Sequence, residues 1–90
     1  MIIGKVVGNV WATRKDEKLS GQKFLVVKIM KNKSKEKDEL FVVSDNVGAG
    51  QGDYVLITTG SSARFSLGNK EIPVDATIIG IIDSIEVSDG

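Results

Sequence analysis

Apolar residues fall in five runs along the chain: Ile2–Thr13, Lys23–Met30, Glu39–Ser44, Tyr54–Thr59 and Thr77–Val87, separated by Gly-rich or charged segments. In the first run the even positions, Ile2, Gly4, Val6, Gly8, Val10 and Ala12, are all apolar or small. Its odd positions include Lys5, Asn9 and Thr13. A period of two is the signature of a strand with one buried face. Glycines inside such a strand mark a bend or a close backbone approach, as at the corner of a small barrel. Val and Ile together number 21 against 9 for Leu and Ala, and branching at Cβ favours the pleated backbone over the helix. Several short strands punctuated in this way predict an all-β sandwich or barrel.

The last run is apolar on both faces, with Ile79, Ile81, Ile85 and Val87 on one side and Ile78, Gly80 and Ile82 on the other. One barrel interior covers only one face, so the second calls for a partner subunit or for cover by the chain's own loop. Lys31–Asp38 (KNKSKEKD) reads as a solvated hairpin loop, with alternating lysines as a secondary basic surface. Gly60–Glu71 has weak strand character, and Ser61 or Ser62 is placed to cap one short helical turn over Ser61–Phe65.

Ninety residues form one domain, 1–90, with no room for a second core. So small a chain hides only about 60–65% of the surface it exposes when unfolded. It has no Cys and no His, which removes disulfides, thiolate metal sites, the cysteine nucleophile and the commonest general base. Oligomerisation is the remaining remedy for a small core. Basic and acidic residues balance at 12 each, but unevenly: positions 1–44 carry 10 basic and 5 acidic side chains, positions 45–90 carry 2 and 7. The N-terminus lacks a charged leader followed by an apolar run, and no segment has the roughly 20 apolar residues a membrane span needs. A cytoplasmic protein with no membrane partner is expected.

Candidate chemistry is sparse. Gly48-Ala49-Gly50-Gln51-Gly52 lacks the following helix and the Gly-Lys-Ser/Thr ending of a phosphate loop, and Asp53 comes next. It reads as an inter-strand turn. Ser61 and Ser62 have no His to activate them, and Ser34 with Lys37 lies in a charged loop. Asp75 and Asp83 are the residues for a carboxylate pair, which in an apolar setting is more often a salt-bridge or turn element. No catalytic residue, cofactor or metal is therefore expected. Oligonucleotide binding is the alternative, since five strands in a closed barrel also describe that fold. It needs aromatic platforms and a basic groove, whereas Trp11, Phe24, Phe41, Tyr54 and Phe65 sit mostly in apolar runs where core packing is the default. Lys23 and Lys28 flank the second run.

Taken together, GKVVGNVWATRK (Gly4–Lys15), LSGQKFLVV (Leu19–Val27), DNVGAGQGDYVLITTGSSARF (Asp45–Phe65) and PVDATIIGIIDSIEV (Pro73–Val87) resemble one family. It is that of the bacterial microcompartment vertex proteins, the small pentameric shell proteins of carboxysomes and of ethanolamine- or propanediol-type metabolosomes. The resemblance implies a compact β-barrel related to the oligonucleotide-binding fold, assembled as a homopentamer beside hexagonal shell proteins, with no nucleic-acid partner. By position in those motifs, Gly60, Ser61, Ser62, Ala63 and Arg64 are expected near the subunit contact. Arg64 is one of two basic residues after position 44, and its fork suits Asp75 or Asp83 of a neighbouring chain.

Overall fold

The computed structural model describes residues 1–11, 17, 21–32, 34–60, 63, 66 and 74–86. Five strands form within them: β1 (Ile2–Asn9), β2 (Lys23–Met30), β3 (Glu36–Asp45), β4 (Tyr54–Thr59) and β5 (Ala76–Ile82). They close into a barrel in the order β1-β2-β3-β5-β4. Four of the pairings are antiparallel; β3 and β5 run parallel and meet only through Ser44 with Thr77 and Asp45 with Ile78. The pattern predicts a sandwich or a barrel, and the structure is the five-stranded barrel related to the oligonucleotide-binding fold that the resemblance implies. Ala63 and Ser66 are helical, in keeping with the short turn expected near Ser61–Phe65, whose other residues lie outside the described set.

The interior is aliphatic. Val6, Leu25, Val27, Ile29, Val43, Val55, Ile57 and Ile78 fill it, with Ala49 from the loop before β4. The inward face of β1 follows the even positions as far as Val6, then a bulge between Val6 and Gly8 breaks the alternation. Gly4 is where β1 pairs with Ile29 of β2 on one side and Val55 of β4 on the other. A Cβ there would stand 2.8 Å from Cδ1 of Ile57 and 3.4 Å from the Lys28 carbonyl oxygen. The missing side chain is what lets the three strands close around Ile57.

Three expectations change. The described aromatic residues do not build the core: Trp11 is 91% exposed and Phe41 43%, while Phe24 and Tyr54 are half-buried, and Phe65 lies outside the described residues. β1 ends at Asn9; the Val10 amide still donates to the Phe24 carbonyl (3.2 Å), and the strand stops before Trp11 gains a cross-strand partner. The charged loop is shorter than Lys31–Asp38, because β3 starts at Glu36, opposite Met30. Its turn is set by Asn32, whose Oδ1 accepts from the amides of Ser34 (3.0 Å) and Lys35 (3.1 Å). Finally, an irregularity opposite Leu56 and Ile57 shifts β5 by one residue. Ile78 and Ile81 then oppose the core residues Ile57 and Val55, and Gly80 and Ile82 oppose Leu56 and Tyr54. The two faces read from strict alternation are therefore mixed.

Candidate subunit-contact surface

The short parallel pairing of β3 with β5 gives the barrel a seam with two unlike ends. Before Ser44, β3 continues away from β5 through Leu40, Phe41 and Val42, exposed at 61%, 43% and 55%. Beyond Ile78, β5 runs on to Ile81, and the chain after β3 passes Val47; each of these two is 42% exposed. Because the strands are parallel, the first patch lies at one end of the seam and the second at the other.

The residues singled out for the contact divide between these ends. The Gly60 amide donates to the Asp75 carbonyl (2.7 Å), and the Ala63 amide donates back to the Gly60 carbonyl (3.1 Å). This turn is thereby fixed to the start of β5, at the Val42 end, with Ala63 fully buried. Asp83 is exposed just past the other end of β5. Asp75 and Asp83 thus bracket the strand, about 25 Å apart at the rise of an extended chain. They do not form the carboxylate pair the sequence offered. Ser61, Ser62 and Arg64 lie outside the described residues.

The second apolar face of the last run is partly covered by the chain itself. Ile85 borders a cleft with Tyr54, Ile82, Asp83 and Ser84, and another with Met1, Ile2, Ile3 and Met30. The residues after β5 therefore pass Tyr54 toward the start of β1. Val87 lies outside the described set, and Ile81 is what this segment leaves exposed.

The glycine-rich loop is closed to phosphate by the chain's own acids. Asp45, buried at the end of β3, accepts from the amides of Val47 (3.0 Å), Gly48 (3.2 Å) and Ala49 (2.9 Å). Asp53 accepts from the Gly50 amide (2.8 Å). Donors that would cradle an anion already hold carboxylates, and Gly48 and Gly52 take the positive φ angles (82° and 90°) expected of a turn. Sequence reasoning missed Asp45; the signal was Asp45-Asn46-Val47-Gly48, an Asx-turn pattern. Lys23, considered for a groove, instead approaches the Asp45 carboxylate at 3.7 Å. Lys5 lies over the Tyr54 ring, 5.7 Å from its centre, and opposite Lys28. Among the described residues, no three metal-ligating side chains converge and no helix is long and apolar enough to cross a membrane.

Residues 1–83 match the family model described as ethanolamine utilisation protein EutN/carboxysome. The bacterial microcompartment shell vertex protein GrpN of Rhodospirillum rubrum is 45% identical over 86 residues, covering 96% of this chain and 97% of that one. Its solved structure, described as a pentameric microcompartment shell protein, superposes with a TM-score of 0.88 at 42% identity, covering 98% and 100% of the two chains. The carboxysome shell vertex protein CcmL of Gloeobacter violaceus is 39% identical over 87 residues, covering 97% of this chain and 87% of that one. Its structure gives a TM-score of 0.90 over 97% of this chain and 90% of that one. The chain belongs to the EutN/carboxysome family, the family of these microcompartment shell vertex proteins.

Proposed function

We propose that this protein, acting as one domain over residues 1–90, is a structural component of a bacterial microcompartment shell in the cytoplasm. Five copies form a ring that occupies a vertex. Flat sheets of hexagonal tiles close into a polyhedron only where five-fold points are inserted, so the function is geometric and no reaction is assigned to it. The observation that carries this reading is the match of nearly the whole chain to GrpN, whose structure is pentameric. The carboxylates of Asp45 and Asp53 in the glycine-rich loop support it, because they already hold the amides that would cradle a phosphate there. The oligonucleotide-binding alternative has no support from these relatives.

Native mass spectrometry tests the ring. Five copies of a 9.7-kDa chain give 48.5 kDa, with no salt-dependent affinity for single-stranded DNA or RNA. A monomer that binds oligonucleotides with a steep salt slope overturns the reading.

Within the ring, residues 60–64 lie near the subunit contact and Arg64 pairs with an acid of the neighbouring chain. Asp83 suits this role because it is exposed at the opposite end of β5 from the Gly60 turn, a separation that one chain spans only by meeting a second. Arg64→Ala therefore shifts most of the 48.5-kDa species to smaller masses at micromolar concentration. A mutant that keeps the native mass removes Arg64 from the contact.

A further inference from the structure

We infer that the ring is closed by unlike ends of the β3–β5 seam: the Leu40, Phe41 and Val42 patch of one copy packs against the Val47 and Ile81 patch of the next. The inference rests on the ring proposed above and specifies its contact surface.

A stable protein interface buries about 800 Å² per partner. A ring member makes two such contacts, roughly 1,600 Å², or about a quarter of this chain's 6159 Å² of accessible surface. Apolar area to meet that need is not spread evenly. The exposed large apolar residues among those described are Met1, Trp11, Leu40, Phe41, Val42, Val47 and Ile81, and the only consecutive three are on β3. That stretch is also an edge, because β5 leaves β3 before Ser44 and no other described strand pairs with its far side. Along the strand they alternate, Leu40 and Val42 facing outward and Phe41, opposite the buried Val27, facing the barrel side. Apolar residues along an unpaired edge are a template for association and are normally blunted or covered. Here the charged residues precede them at 36–39 and leave 40–42 bare.

The occupant is a second copy because closed rings are built from heterologous contacts, in which one patch meets a different patch of the next subunit. The parallel seam supplies two such patches at its two ends. Residues near them agree: the Gly60 turn is fixed at the Val42 end and Asp83 lies at the Ile81 end. The apolar contact and the Arg64–Asp83 contact thus form in a single docking step.

Val42→Lys and Val47→Lys each spoil one end. Both positions are about half exposed, so each variant keeps the β-rich circular dichroism of the barrel. A lysine buried without a partner is strongly unfavourable at an interface. Each variant alone is therefore expected as a 9.7-kDa monomer at concentrations where the unmodified chain is 48.5 kDa. Mixed in equal amounts, they form a 1:1 complex of 19.4 kDa and nothing larger. The intact β3 patch of Val47→Lys meets the intact Val47 patch of Val42→Lys, and both remaining ends are spoiled. If either variant alone keeps the five-fold mass, or the mixture stays monomeric while both are folded, the assignment of these surfaces is wrong and the ring stands. If the unmodified chain is itself a monomer, the ring is wrong.

Discussion

Asp45→Ala will lower the melting temperature by about 10–25 °C. The Asp45 carboxylate is the single acceptor for three successive loop amides, and the Ala49 amide among them is buried. Hydrogen bonds to an ionised group contribute about 1.5–3 kcal/mol each, and a buried donor left without a partner costs about 1–3 kcal/mol. Val47 and Gly48 are exposed residues whose amides turn to water, so the loss is nearer about 3 kcal/mol than the full sum. In a domain of this size each kcal/mol moves the midpoint by about 4–8 °C. The loop also carries Ala49 into the core, so its loosening reaches the barrel interior. Lys23→Met is the control: its ammonium is 3.7 Å from the same carboxylate but 58% exposed, and such pairs contribute about 0–1 kcal/mol. Both variants should be melted in the Val42→Lys background, where ring formation does not add to the midpoint by mass action. An Asp45→Ala midpoint within about 3 °C of its parent would mean that the loop is held by something else.

Gly4→Val should be nearly as damaging, for the opposite reason. The first added carbon already falls 2.8 Å from Cδ1 of Ile57, a residue 1% exposed, and 3.5 Å from Cβ of Val27. A lone methyl displaces only the far end of the Ile57 side chain. Two further methyls fill a corner bounded by the Lys28 carbonyl, which β-pairing holds in place. Overpacking of this kind costs about 1–3 kcal/mol or more. Gly4→Val is expected at the upper end, with a midpoint roughly 10–20 °C lower. Gly4→Ala should fall between it and the parent. Combined with Ile57→Val, which deletes the obstructing methyl, Gly4→Ala should lose less than the sum of the two single losses, because contacting sites are not additive. Additive losses in that double mutant would place the obstruction elsewhere.

The residues that were legible from sequence are those whose environment is set by neighbours in the same strand. β2 and β4 carry their own alternation, and their bounds are Lys23–Met30 and Tyr54–Thr59 as the apolar runs predict. The start of β3 was hidden because Glu36 is in the strand through its partner Met30 and the Asn32 turn, not through its own apolarity. The faces of β5 were misread for a related reason: the one-residue shift at Leu56 and Ile57 belongs to the pairing of two strands. The proposed contact surface was the least legible part. Leu40 and Val42 alternate with Phe41 and Val43 and face out of the barrel, but a run of four apolar residues does not show which parity faces inward. Residues 60–64 entered through family resemblance; of them, Gly60 and Ala63 are tied to the start of β5 by the hydrogen bonds of the Gly60 amide to Asp75 and of the Ala63 amide to Gly60.

Closure of a shell tests vertex occupancy most directly. Hexagonal microcompartment shell proteins would be produced with and without this chain and the particles imaged by electron microscopy. The account predicts closed polyhedra with density for this chain at their five-fold points when it is present, and open sheets or tubes when it is absent. Polyhedra that close equally well without it, or that carry it anywhere other than at the vertices, would contradict the account.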